Sequence, residues 1–104
     1  MSDAIKTPPT LAALRARRDE ILALAERYGA SNVRVFGSVA RDEARPDSDV
    51  DLLVKFHEDA SLYDLSGLRL DLIDLLEWPV EVISDHPRLR ESFRQRIQQE
   101  AVAL

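Results

Sequence analysis

Apolar residues recur along this chain with two different periods, and the switches between them mark out its elements. Leu11, Leu14, Ile21, Ala25 and Tyr28 return at helical spacing, with Leu22 and Leu24 widening the stripe. That spacing predicts one amphipathic helix, capped by Thr10 and closed by Gly29. From Asn32 to Phe36 the period falls to two, with Val33 and Val35 on one side, which predicts a strand. Gly37-Ser38 interrupts it, and VARDEA reads as a short helix ending before Arg45-Pro46. Asp49–Phe56 is a second strand, with Val50, Leu52 and Val54 on one face and Asp49, Asp51 and Leu53 on the other.

Ser61 followed by Asp64 has the form of a capping box, opening a helix with Leu62, Leu65, Leu68, Leu72, Leu75 and Leu76 in its apolar stripe. Val80–Ser84 is a third strand after Pro79. Pro87 then opens a last helix with Leu89, Phe93, Ile97 and Ala101 at four-residue steps. The order of elements predicts an α+β fold: a small mixed or antiparallel sheet of three to four strands with helices packed on one face. With no internal repeat and no long linker, residues 1–104 read as a single domain, and 1–9, ending in Pro8-Pro9, as a loose arm.

Composition narrows the function classes. A chain of 104 residues with no cysteine has no disulfide, thiolate metal site or cysteine nucleophile. No apolar run approaches the roughly 20 residues of a membrane span, and the first residues lack a signal-peptide pattern, so a cytoplasmic location is expected. A net charge of -5 argues against direct binding to nucleic acid. The charge is unevenly spread. Residues 58–77 carry Glu58, Asp59, Asp64, Asp71, Asp74 and Glu77 against Arg69, while residues 86–100 carry Arg88, Arg90, Arg94 and Arg96 against Glu91 and Glu100. Solvated helix faces explain such blocks; the arginine helix and the AVAL end are also a candidate surface for a partner. His57 and His86 receive no role.

The densest chemistry lies in GSVARDEARPDSDVD, Gly37 to Asp51. Asp49 and Asp51, two apart on a strand, project together, and a pair of carboxylates suits a hard divalent cation such as Mg²⁺. Glu81 alternates with Val80 and Val82 in the third strand, and joins the same face if that strand lies beside the second. Gly37 permits close backbone approach, and Ser38 offers a hydroxyl and an N–H where a phosphate can bind. Asp47 and Ser48 suit a turn. An EF-hand calcium loop would also use Asp47, Asp49 and Asp51, but Leu52 stands where that loop requires glycine, and a strand follows instead of a helix.

The stretch FGSVARDEARPDSDVDLLV, Phe36 to Val54, resembles the signature of the DNA polymerase beta-type nucleotidyltransferases: Gly-Ser, ten intervening residues, then Asp-x-Asp. The wording around it resembles the short group known as minimal nucleotidyltransferases, or MntA-like antitoxins. The resemblance implies the polymerase beta-like fold and a Mg²⁺-dependent nucleotidyltransferase. Asp49, Asp51 and Glu81 would be the catalytic carboxylates and hold two Mg²⁺ ions. Gly37 and Ser38 would hold the β- and γ-phosphates of a nucleoside triphosphate, with ATP as the substrate; Arg41 is either a further phosphate contact or half of a surface ion pair.

The chain departs from the relatives' pattern twice. Glu81 stands where many have aspartate, and Asp42 where many have glycine, a position where aspartate tolerates a positive φ. So small a chain has little with which to grip an acceptor. The resemblance implies that the acceptor is a HEPN toxin of the HepT type, associated with this protein and silenced by transfer of AMP to a tyrosine. Two other readings stay open at this level: a non-catalytic antitoxin that occludes its partner, and transfer to a small molecule.

Overall fold

The structure is a computed structural model that describes residues 7–86 and 88–104. Its elements run α1 (Leu11–Ala16), α2 (Arg18–Arg27), β1 (Ala30–Phe36), α3 (Gly37–Ala40), β2 (Val50–Phe56), α4 (Leu62–Leu76), β3 (Val80–Ser84), α5 (Glu91–Glu100) and β4 (Val102–Ala103). The sheet has the order β3-β2-β1-β4. β1 pairs antiparallel with both β2 and β4, whereas β2 and β3 run parallel, joined by a crossover through α4. The expected α+β class with a mixed four-stranded sheet is the one found.

Alternation along the strands sorts the residues into two layers. Val33 and Val35 of β1, Val50, Leu52 and Val54 of β2, and Val80 and Val82 of β3 are all buried in one core. Leu14, Ile21 and Ala25 close it from α1 and α2, and Leu68, Leu72 and Leu76 from α4. The α4 stripe is fixed at its start as expected: Ser61 Oγ accepts from the Tyr63 N–H, and Asp64 accepts from the Ser61 N–H at 2.8 Å. At its end Glu77 takes the left-handed conformation, φ 60°, and its N–H closes on the Ile73 carbonyl.

Several boundaries differ from expectation, among them the short helix expected over Val39–Ala44, which the structure has at Gly37–Ala40. The first helix is interrupted at Arg17, which ends α1 and precedes α2; because Ile21 N–H still bonds to the Arg17 carbonyl, the break is one residue wide and the core stripe survives it. β1 starts at Ala30, two residues early. A bulge between Ser31 and Arg34, with Asn32 at φ 52°, inserts one residue, so that Ala30 and Val33 are both buried and the period of two is hidden. β2 begins at Val50, leaving Asp49 just before it. The AVAL end, read as one candidate surface for a partner and given no strand, forms β4: Val102 pairs with Val35 and Ala103 with Arg34. Arg15 and Arg18 donate to the Ala103 and Leu104 carbonyls. Pro87, expected to open the last helix, lies outside the described residues, as do residues 1–6 of the expected arm. Of the arm's remainder, Pro9 is buried, and the Thr7 carbonyl accepts from Trp78 Nε1 at 3.0 Å.

The opposite face of the sheet carries the candidate chemistry. Strand pairing puts Phe36 and Arg34 of β1, Asp51 and Leu53 of β2, and Glu81 and Ile83 of β3 on it. Leu53 is fully buried although it lies outside the main core, as is Ile97 of α5. α5 covers this part of the face and is held there by charge: Asp85, just after β3, accepts from Arg34 at 2.9 Å and from Arg94 at 3.2 Å.

Candidate active site

β2 delivers Asp51 to the middle of the sheet, where its two neighbours are decided by register. On one side Asp51 is the direct partner of Glu81 in the parallel pairing. On the other it faces Phe36, the last residue of β1. Chain alternation alone left the Glu81 position conditional on strand adjacency; the α4 crossover supplies that adjacency.

Gly37 follows Phe36 with φ 76° and turns the chain directly against the Asp51 carboxylate. A Cβ at this position would collide with Asp51 Oδ2. Glycine is therefore required twice over, for the backbone conformation and for the space. α3 starts at Gly37, and the Glu43 N–H bonds back to the Ser38 carbonyl at 2.8 Å, folding the following loop onto it. Asp42 has φ 58°, the left-handed conformation anticipated for it. Ser48 accepts from the Arg45 N–H at 2.7 Å and returns its own N–H to the Arg45 carbonyl, so its work is local turn chemistry.

The electrostatics report how closely the acids gather. The Asp51 carboxyl is pushed up to about 6 from an ordinary 3.8. Burial is the main cause, followed by the negative charges of Asp49 and Glu81; the Arg41 cation pulls in the opposite direction. Asp49 and Glu81 themselves are exposed. Among the described residues no three metal-binding side chains converge tightly enough, as they stand, to enclose an ion. The donor chemistry nevertheless fits a hard cation: Asp49 and Glu81 both bring negative charge to bear on Asp51, which a bound cation would neutralise.

One participant had no sequence signal. Glu100, the last residue of α5, accepts from the Gly37 N–H at 2.8 Å. Both of its carboxylate oxygens also lie 3.2 Å from Arg41 Nη1. Arg41, for which a phosphate contact and a surface ion pair were both open, pairs here with Glu100, and its Nε donates to Glu43 at 2.8 Å. Nothing in the pattern of α5 distinguishes Glu100 from other polar residues at a helix end. Its partner lies 63 positions away in the chain, and only folding brings them together.

Comparison with known proteins gives the chain its family. The nucleotidyltransferase domain family matches residues 20–103. A chain of Methanocaldococcus jannaschii, provisionally named a protein adenylyltransferase, is 38% identical over 86 residues, covering 80% of this chain and 88% of that one. A solved structure described as a provisional minimal nucleotidyltransferase superposes with a TM-score of 0.82 at 48% identity, covering 92% of this chain and 97% of the other. A second, of a tri-AMPylated Shewanella oneidensis HEPN toxin in complex with its MNT antitoxin, shares the fold alone. It has a TM-score of 0.65 at 14% identity and covers 86% of this chain and 69% of that one. The chain belongs to the nucleotidyltransferase domain family.

Proposed function

We propose that this protein is a Mg²⁺-dependent protein adenylyltransferase that transfers AMP from ATP to a tyrosine of a HEPN-type toxin and so acts as its antitoxin in the cytoplasm. The observation that carries the reading is the alignment of Asp51 with Glu81 across β2 and β3, with the Gly37 backbone packed against the Asp51 carboxylate. Residues 1–104 would act as one catalytic domain.

Asp49, Asp51 and Glu81 would hold two Mg²⁺ ions. Bound there, Mg²⁺ would neutralise phosphate charge and lower the pKa of the acceptor hydroxyl. The chain's own residues supply position. The Gly37 N–H, Ser38 and Arg41 hold the β- and γ-phosphates, which fixes the α-phosphorus relative to the carboxylates. The acceptor hydroxyl gives its proton to solvent as its oxygen forms a bond to that phosphorus and the bond to the bridging oxygen opposite it breaks, and pyrophosphate leaves. Gly37 and Arg41 stabilise the negative charge that accumulates on this leaving group.

The acceptor is inferred to be a protein because the described residues offer a catalytic edge with little enclosure around it. The HEPN identity rests on the resemblance of the Gly37–Asp51 segment to MntA-like antitoxins, and on the toxin complex whose antitoxin shares this fold.

The test is incubation with α-labelled ATP, Mg²⁺ and a HEPN partner encoded beside this protein. Label on a toxin tyrosine is expected, and neutralised toxicity without label would overturn the enzymatic reading. The double change Asp49→Asn, Asp51→Asn separates catalysis from simple occlusion, because an occluding antitoxin would still neutralise.

A further inference from the structure

The contact between α5 and the Gly37 turn has a chemical consequence for the same site. A carboxylate that accepts from the Gly37 N–H and lies against the Arg41 guanidinium uses the very donors that a phosphate would require. We propose that Glu100 is a built-in anionic competitor: its carboxylate fills the terminal-phosphate position of the site, and a nucleoside triphosphate must displace it in order to bind. The inference rests on the nucleotide reading above and adds to it a determinant of affinity that lies outside the Gly-Ser and Asp-x-Asp segment.

Two features make the contact a competitor instead of a fixed strut. Glu100 is held from both sides, by the last turn of α5 and by β4, whose Val102 pairs with Val35, so its backbone stays next to Gly37. Yet its side chain remains 30% exposed, and a rotamer change releases the carboxylate to water without moving the helix. The contact also has a polarity that favours triphosphate. A phosphate group can take over this contact, since it brings more negative charge and more acceptor oxygens to Gly37 and Arg41 than one carboxylate does, and a triphosphate adds further phosphates for the rest of the site. Arg41 Nε also bonds to Glu43, which gives the guanidinium an anchor at the site besides Glu100.

The experiment is isothermal titration of the full chain and of Glu100→Gln and Glu100→Ala with Mg²⁺-ATP and, separately, with inorganic tripolyphosphate. Circular dichroism checks that each variant is folded. Both variants should bind both ligands about five- to tenfold more tightly than the parent, since a charge-assisted contact no longer has to be broken. The KM for ATP should fall in parallel. Equal or weaker binding by both variants would overturn the inference and make Glu100 a support for the Gly37 turn. Failure of all three proteins to bind either ligand would remove the nucleotide site itself, and the competitor with it.

Discussion

The backbone of Gly37 lies against the carboxylate of Asp51 so closely that no side chain fits between them. The two residues are fourteen positions apart in sequence and meet because β1 and β2 are antiparallel neighbours. Replacing Gly37 by Ala should therefore act twice. The positive φ and the collision should cost about 1–3 kcal/mol in stability, and the displaced Asp51 should reduce kcat/KM by about 100-fold or more. Thermal melts and adenylyl-transfer kinetics on one preparation measure both effects; unchanged kinetics in a folded variant would contradict the tight coupling.

Asp51 is held at the site at the expense of stability. With its carboxyl raised to about 6 in the fold and ordinary when unfolded, the native state binds the proton more tightly. Stability must therefore fall as pH rises from about 4 to 6 and stay lowered above that. Asp51→Asn removes the charge. In metal-free buffer it should melt higher than the parent at pH 7–8, with the advantage vanishing near pH 4, and it should be inactive. Melting curves across that range decide the point.

Addition of Mg²⁺ should reverse this cost. Millimolar Mg²⁺ is expected to raise the melting temperature of the parent at pH 7.5 and to leave the Asp49→Asn, Asp51→Asn double variant unmoved, because only a carboxylate cluster gains from a bound cation. Equal shifts in both proteins would place the ion elsewhere.

Glu81, the β3 partner of Asp51, would supply the third carboxylate of the proposed site on a side chain one methylene longer than an aspartate. Glu81→Asp should retain transfer within about tenfold, whereas Glu81→Gln, which keeps length and loses charge, should lose about 100-fold or more. Single-turnover rates with saturating ATP discriminate the two. A Gln variant as active as the parent would remove Glu81 from the site.

Asp85 anchors α5 over the site face through Arg34 and Arg94. Burial pushes its carboxyl up, but the hydrogen bond and charge of Arg34, with the charge of Arg94, hold it below the usual range. Its contribution to stability is thus present above the ordinary carboxylate range and is lost as pH falls through its own lowered value. Asp85→Asn should cost about 1–3 kcal/mol at pH 7, or roughly 5–15 °C in a protein of this size, with the difference from the parent shrinking toward pH 3.

Much of the fold was legible because burial and period go together. The even-numbered residues of β2 and the leucines of α4 are the core, and the Ser61–Asp64 box sits at the start of its helix. Elements went astray where the backbone departs from its period: the Asn32 bulge hid two residues of β1, and the break at Arg17 leaves the apolar stripe intact and so leaves no trace in it. β4, two residues long, has too few positions to show any alternation.

The sequence by itself determined most of the strands and helices, the nearness of Asp49 to Asp51 and the Gly-Ser turn, because each depends on residues near one another along the chain. Tertiary structure alone decided that Glu81 lies beside Asp51, that Gly37 touches its carboxylate, that Asp85 holds α5, and that Glu100 takes the Gly37 N–H. Those relationships are set by strand order, register and the path of α5. They arise from the packing of apolar faces that carry no information about which charged residues they will bring together.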